Sequence, residues 1–232
     1  MKEAQMIFKD QHDISLWQKF VFCSCFLITI LLSVWLMFAD ITPSDTWLKQ
    51  DQITGDFLRR VLIAACIIIY FLRLQITIWV FQKRKWTWTE TITISILISL
   101  AIYAFASVGG NNKQVIGAFE VIGVFLYLSG SYLNTQAEYS RHVWKLKKEN
   151  KGRLYTGGLF SLSMHINYFG DIVLFTGFAM ITHISVLVIP FLMSVNFVFN
   201  IIPALDRHLE KKYQAEFRHY AGETKILIPW IY

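Results

Sequence analysis

Apolar runs alternate with short polar segments along most of the chain. The runs at 20–39, 61–82, 91–112 and 114–137 each have the length of one membrane-spanning helix, since about 20 residues rising 1.5 Å each cross a hydrocarbon core of about 30 Å. A fifth run, 172–205, has no Asp, Glu, Lys or Arg and would be about 51 Å long as a single helix. It therefore predicts a hairpin of two spans that turns near residues 182–185. We expect an all-α, polytopic membrane bundle of about six transmembrane helices.

The distribution of basic residues predicts the orientation of this bundle. Lysines and arginines gather in the N-terminal segment, at 83–85, at 141–153 and at 207–225, whereas the intervening polar loops, such as 40–56, hold few. The positive-inside rule then places both termini, and the segment 155–171, on the cytoplasmic side. The first apolar run lacks a small-residue cleavage site and is expected to be a retained span. The net charge of +6 is expected to meet membrane lipids or an anionic cofactor, not nucleic acid.

Polar residues and bare backbone are concentrated at 155–171, which reads YTGGLFSLSMHINYFGD. Gly157 and Gly158 either join two helices or let the backbone approach a phosphate closely. Asn167 and Asp171 stand at the start of the next span, where they either cap a helix or direct hydrogen-bonding groups into a cavity. The three cysteines lie inside apolar runs and are expected to be buried thiols, and no metal site is expected.

A polar stripe precedes this segment. Asn134 and Glu138 share one helix face at a spacing of four residues, and Arg141 and Lys145 continue close to that face. The stripe predicts either a collar that binds lipid headgroups or a site for an anionic ligand. In the tail, Tyr213, Phe217 and Tyr220 recur at helical spacing, which is typical of side chains that pack against a core. Residues 226–232 are expected to return to the bundle.

The last 100 residues resemble the steroid 5-alpha-reductase C-terminal domain family, which belongs to a wider group with isoprenylcysteine carboxyl methyltransferases and sterol reductases. The matching features are spread over this half of the chain: Asn134-x3-Glu138, the basic helix after it, Tyr155-Thr156-Gly157-Gly158-Leu159-Phe160, Asn167-Tyr168-Phe169-Gly170-Asp171, Pro203-x2-Asp206 and the terminal IPWIY. Further upstream, Tyr70-Phe71-Leu72-Arg73-Leu74 looks like an aromatic-x-Leu-Arg-Leu element of bacterial members.

The resemblance implies one membrane domain, in which residues 1–113 lie on the substrate side and residues 114–232 form the cofactor-binding half. It implies a cavity open to the cytoplasm that holds NADPH. Together with the polar stripe and the glycine pair, it gives the predicted cofactor-binding residues: Asn134, Glu138, Arg141, Lys145, Tyr155, Gly157, Gly158, Asn167, Tyr168, Asp171, His208 and Tyr213. Tyr103, in the middle of the third run, is the candidate catalytic proton donor, with packing as the alternative reading.

One departure from the family pattern bears on the choice of cofactor. Many bacterial members and the methyltransferases carry Arg-His-Pro where this chain has Met164-His165-Ile166, and the reductases proper also lack that Arg-His-Pro. We therefore expect an NADPH-dependent reductase of an activated carbon–carbon double bond in a lipid or steroid-like substrate. The alternatives are an S-adenosylmethionine-dependent methyltransferase and a non-catalytic relative that kept the scaffold. The pattern leaves the substrate and the oligomeric state open.

Overall fold

The computed structural model describes residues 15–39 and 55–232, and within these ranges the chain is helical without strands. Residues 40–54 of the predicted polar loop and most of the N-terminal segment lie outside the described residues. The α-helices are α1 (Leu16–Phe38), α2 (Phe57–Ile76), α3 (Trp88–Gly110), α4 (Ala118–Leu146), α5 (Ile166–Thr182), α6 (Val188–Asn196), α7 (Ile202–Tyr213) and α8 (Ala215–Glu223). A π-helical turn, Thr77–Phe81, extends α2, and a second, Phe197–Ile201, joins α6 to α7.

Within the described ranges, four helices are long and apolar enough to cross a membrane: Leu16–Phe38, Phe57–Phe81, Trp88–Gly110 and Ile184–Tyr213. The prediction of an all-α, multi-pass membrane protein is therefore confirmed. The predicted hairpin is also present, because α5 ends at Thr182 and the next helical segment begins at Ile184. The fourth predicted run lies in α4, which continues into the basic segment, and α5 has 17 residues. The count of about six spans and the orientation of the termini stay predictions.

Helices α4 and α5 pack backbone to backbone because glycines line their contact. A Cβ atom on Gly130 would lie 2.3 Å from the Leu174 nitrogen and 2.4 Å from the Gly170 oxygen. A Cβ atom on Gly177 would lie 2.4 Å from the backbone oxygen of Gly123. The glycines recur every seven residues on each helix, which keeps them on one face, and small residues are what close helix packing in a membrane requires. This contact sets α4 and α5 in the register that brings polar residues together beyond Gly130 of α4 and before Leu174 of α5.

A buried arginine fixes the opposite ends of the same helices. The Arg59 guanidinium donates to Glu120 Oε1 at 2.8 Å, in the first turn of α4, and to the Gln114 backbone oxygen at 3.0 Å, in the loop before it. It also donates to the carbonyls of Ile181 and Thr182, the last residues of α5. The final carbonyls of a helix have no partner within the helix, so this side chain satisfies them while its charge is balanced by Glu120.

Aromatic rings fill the core between these two ends. Phe105 of α3 stacks on Phe178 of α5 with ring centroids 4.2 Å apart, and Tyr70 of α2 meets Phe175 edge to face at 5.3 Å.

The cysteines were expected to be buried thiols, and Cys66 is buried. Cys23 and Cys25 are half-buried, because α1 lies at the edge of the bundle with much of its surface exposed.

Candidate functional site

A network of amide and carboxylate groups joins the C-terminal half of α4 to the N-terminal half of α5. The Asn167 side-chain nitrogen donates to Glu138 Oε1 at 2.9 Å, and the Asn134 side-chain nitrogen donates to the Asn167 backbone oxygen at 2.9 Å. Asn134 and Glu138 are both buried. Buried polar groups are stable only when they are hydrogen-bonded, so these three residues hold one another in a fixed geometry.

Arg141 extends this network towards the C-terminal end of α4. It forms an ion pair with Glu138, one turn earlier on α4, and its guanidinium carbon lies 5.3 Å from the centroid of the Phe160 ring. Lys145, a further turn along, is exposed. The stripe predicted on α4 is therefore graded, from buried amide and carboxylate to half-buried arginine and exposed lysine. Such a gradient suits a ligand with a neutral polar end and an anionic end.

A second charged pair lies deeper in the bundle. Arg73 of α2 donates to Asp171 Oδ1 of α5 at 2.9 Å, and only 7% of the Arg73 side chain is exposed. In the described part of the chain, its Nε and Nη1 atoms are buried and have no hydrogen-bond partner. The guanidinium also lies over the ring of Tyr70, 5.1 Å from its centroid. An arginine with two buried donors left over is expected to bind an acceptor that is not part of these helices.

The segment before α5 wraps around Tyr155. The ring of Tyr155 lies 5.3 Å from Trp144 and 5.8 Å from Phe160, measured between centroids. Gly158 has a φ of +59°, a conformation that favours glycine, and a Cβ atom there would lie 3.0 Å from the Tyr155 hydroxyl oxygen. Gly157 lies against the same ring. Gly158 is therefore needed for the turn itself, whether or not a ligand approaches it, whereas a Cβ atom on Gly157 would make only ordinary contact with the Tyr155 ring.

The segment also contacts the last long helix. His165 Nε2 lies 2.8 Å from Asp206 Oδ1 of α7, and the His165 ring stacks on Tyr168 at 5.7 Å. Tyr168 in turn stacks on Phe197 at 4.7 Å. These contacts tie α5 to the helix Ile184–Tyr213 beside the site.

The tail closes this side of the site, as predicted. The backbone nitrogens of Met164 and His165 donate to the carbonyls of Lys225 and Ile226. The Tyr220 hydroxyl of α8 donates to the Phe160 oxygen at 2.6 Å, and burial raises the pKa of this hydroxyl, so it stays protonated as a donor. The tail therefore holds this segment at two places on the C-terminal side of the glycine pair, at Phe160 and at Met164–His165.

The predicted site residues divide into two groups. The structure brings together Asn134, Glu138, Arg141, Asn167 and Tyr168 on α4 and α5, with Asp171 one turn further along α5 and Tyr155 under the glycine turn. Tyr213 instead packs against a hydrophobic cluster with Met164, Phe217 and Tyr220, and His208 is half-buried on α7.

Tyr103 lies apart from this cluster. It is 48% exposed on α3, while its neighbours Ile102 and Phe105 are fully buried. Two residues beside the Asp171 carboxylate, Arg73 and Tyr70, were not among the predicted site residues. The sequence did contain a signal for Arg73, because it is the one charged residue within the apolar run 61–82. Burying an ionisable group inside a membrane costs free energy, so such residues are often functional.

Comparison with known proteins places most of the chain in one group. Residues 71–224 match a family model described as a protein of unknown function, DUF1295. Among curated proteins, the chain is similar to Steroid 5-alpha-reductase DET2 of Arabidopsis thaliana, with 33% identity over 115 residues, which are 48% of this chain and 42% of that protein. It is similar to 3-oxo-5-alpha-steroid 4-dehydrogenase 2 of Homo sapiens, with 28% identity over 48% of this chain and 42% of that protein.

A third similarity points to another reaction. The Probable O-methyltransferase ustE of Ustilaginoidea virens is 29% identical over 46% of this chain and 38% of its own length. The matches thus cover about two fifths of each of these three relatives.

Proposed function

This chain belongs to the DUF1295 family, the steroid 5-alpha-reductase C-terminal-like family that the sequence predicted, and from that premise we propose that it is a membrane reductase. Its substrate is a lipid or steroid-like molecule with a carbon–carbon double bond conjugated to a carbonyl, and its cofactor is NADPH. The names of the Arabidopsis and human relatives support a steroid reductase as the general class.

The observation that carries this proposal is the buried Arg73–Asp171 pair. When a hydride adds to the β carbon of a conjugated carbonyl, negative charge develops on the carbonyl oxygen. Preorganised donors aimed at such an oxygen lower the barrier in a site that excludes water. Arg73 has two buried N–H donors without a partner in the described residues, and Asp171 fixes the orientation of its guanidinium at 2.9 Å.

The residues around the pair fit NADPH. The cations Arg141 and Lys145 lie at the exposed end of the α4 stripe and suit phosphates, whereas the neutral amides of Asn134 and Asn167 suit the nicotinamide carboxamide. Tyr155 and the glycine turn provide a further wall. NADPH would supply the hydride, and the protein orients the two reactants and excludes water.

Tyr70 is better placed than Tyr103 to supply the proton. It is buried, and the Arg73 guanidinium lies over its ring, whereas Tyr103 is half exposed on α3. Tyr70→Phe should therefore lower kcat and leave NADPH binding nearly unchanged, which separates proton donation from cofactor binding.

A methyltransferase is the second candidate because one relative bears that name. Its cofactor, S-adenosylmethionine, would occupy the same polar stripe. The two functions are distinguished by ligand binding to the purified protein, which requires no knowledge of the substrate.

The test is thermal or chemical unfolding in detergent with each cofactor. A ligand that binds only the folded state at 100 times its dissociation constant stabilises it by about 2.7 kcal/mol. We expect such a shift with NADPH, a smaller shift with Asn167→Ala, and no shift with S-adenosylmethionine. Lys113→Ala, at the opposite end of α4, is the matched control and should keep the full shift. Stabilisation by S-adenosylmethionine alone would exclude the reductase.

A further inference from the structure

Tyr127 of α4 is a buried tyrosine outside the group of site residues described above. Only 1% of it is exposed, and its hydroxyl donates to the backbone oxygen of Cys66 on α2 at 2.6 Å. A tyrosine hydroxyl inside a membrane bundle needs a hydrogen-bond partner because hydrocarbon offers none. The partner here is the main chain of another helix, so the bond ties α4 to one particular turn of α2.

That turn of α2 leads to Tyr70, the proposed proton donor. In an α-helix each carbonyl accepts from the N–H four positions later, so the Cys66 oxygen is the acceptor of the Tyr70 backbone. The Tyr127 hydroxyl meets the same oxygen and also interacts with the Tyr70 backbone. The Arg73 guanidinium lies within electrostatic range of this hydroxyl. Tyr127 therefore contacts α2 immediately before the residues that we propose take part in the reaction.

Tyr127 also belongs to the polar face of α4. It precedes Asn134 by seven residues and Glu138 by eleven. At 100° per residue, these spacings place the three side chains within about 40° of one another around the helix. The Tyr127 backbone is fixed against α5, because a Cβ atom on Gly177 would lie 2.4 Å from the Tyr127 nitrogen, and its ring meets Phe178 edge to face at 5.7 Å. The side chain therefore holds α2 at a fixed distance from the face that carries the polar stripe.

We propose that Tyr127 is a positioning residue, which sets the place of the Tyr70 hydroxyl relative to the polar stripe of α4. Phe175 and Phe26 contact the Tyr70 ring at 5.3 Å and 5.8 Å. Such apolar contacts are non-directional, whereas a hydrogen bond to the backbone fixes both the height and the rotation of the turn. The inference rests on the proposed reductase and deepens it. Tyr127 acts through Tyr70, and a reacting group misplaced by about 1 Å can lose as much as about a hundredfold in rate.

Kinetics of Tyr127→Phe test this role, because the change removes the hydroxyl and keeps the ring. The probe is progesterone, a steroid whose ketone is conjugated to a carbon–carbon double bond, with NADPH. We expect kcat to fall roughly tenfold while the KM for NADPH stays nearly unchanged. In the Tyr70→Phe background the same change should have no further effect, because a residue that acts through another is not additive with it. Losses that multiply independently would overturn the proposal.

Thr29→Val is the matched control. The Thr29 and Ser99 hydroxyl oxygens lie 2.8 Å apart, so this bond also joins two helices, but these are α1 and α3. The variant removes one interhelical hydroxyl contact and keeps the volume of the side chain, and it should leave kcat unchanged. If it lowered kcat as much as Tyr127→Phe, the loss of any contact between helices would have this effect, and the proposal would be overturned.

Hydrogen exchange followed by mass spectrometry separates a failure of this inference from a failure of the proposed function. In the purified protein in detergent, Tyr127→Phe should speed amide exchange at 66–73, whereas Thr29→Val should not. Unchanged exchange there would overturn the positioning role, whatever reaction the site performs. If exchange responded as expected but the native protein did not reduce the probe, the result would confirm that Tyr127 holds the turn and would count against the proposed reaction.

Discussion

Asp171→Ala should destabilise the fold because it leaves the Arg73 guanidinium as a buried charge without its carboxylate. Only 7% of the Arg73 side chain and 22% of the Asp171 side chain are exposed. Removing one partner of a buried ion pair typically costs about 3–5 kcal/mol. The partial exposure of Asp171 allows some water to reach the charge, so we expect about 3 kcal/mol, the lower end of that range. Asp171→Asn should cost less because the amide oxygen still accepts from Arg73.

The assay is equilibrium unfolding of the purified protein in mixed micelles, followed by far-ultraviolet circular dichroism and tryptophan fluorescence. The double variant Arg73→Met/Asp171→Leu removes both charges and should regain most of the lost stability, because apolar residues can replace a buried pair at little cost. NADPH, which we propose is bound by the α4 stripe and Asn167, should still stabilise the double variant, whereas turnover should be lost. This outcome separates the structural role of the pair from its role in the reaction.

An exposed ion pair on the same chain provides the control. Arg218 and Glu210 are 65% and 50% exposed and lie 3.7 Å apart, so Glu210→Ala should cost less than about 1 kcal/mol. If Asp171→Ala cost no more than this control, Arg73 would not be buried as a charge. The reasoning that links the pair to a water-excluding site would then be refuted.

Three further changes test how the site is positioned. Gly130→Ala should destabilise the α4–α5 contact by about 1–3 kcal/mol through overpacking, because its Cβ atom would lie 2.3 Å from the Leu174 nitrogen. Gly222→Ala is the control in the same unfolding assay and should be neutral or slightly stabilising, because a Cβ atom there would have nothing within 4 Å. Arg59→Met should lower the free energy of unfolding by about 3–5 kcal/mol, because it leaves the Glu120 carboxylate buried without its ion-pair partner. Glu120→Gln should cost less stability, and equal losses for the two variants would argue against the ion pair. Tyr220→Phe should cost about 1 kcal/mol and speed amide exchange at 157–161, and unchanged exchange would show that the tail does not hold this segment.

The pattern of apolar and polar residues along the chain was sufficient to predict the long helices. Runs of apolar residues determine which segments form long helices, and the 172–205 run contains its own evidence for a turn, because no single helix of that length fits a bilayer. The polar stripe on α4 was predictable as well, since Asn134 and Glu138 must share a face at a spacing of four residues. Both conclusions use only periodicity and length, which a sequence carries directly.

Partners across helices were decided by the tertiary structure. The i, i+3 and i, i+4 spacings within a helix say nothing about which residue of α2 meets Asp171, 98 positions away. The sequence therefore marked Arg73 only as part of a family-like element and gave no partner for it. The glycines at 123, 130, 170 and 177 fix that geometry by letting α4 and α5 approach, yet a glycine in a sequence does not state its partner. The chain's own pattern therefore determined the helices and their polar faces. Only packing decided which faces meet, because contact depends on close fit between distant segments.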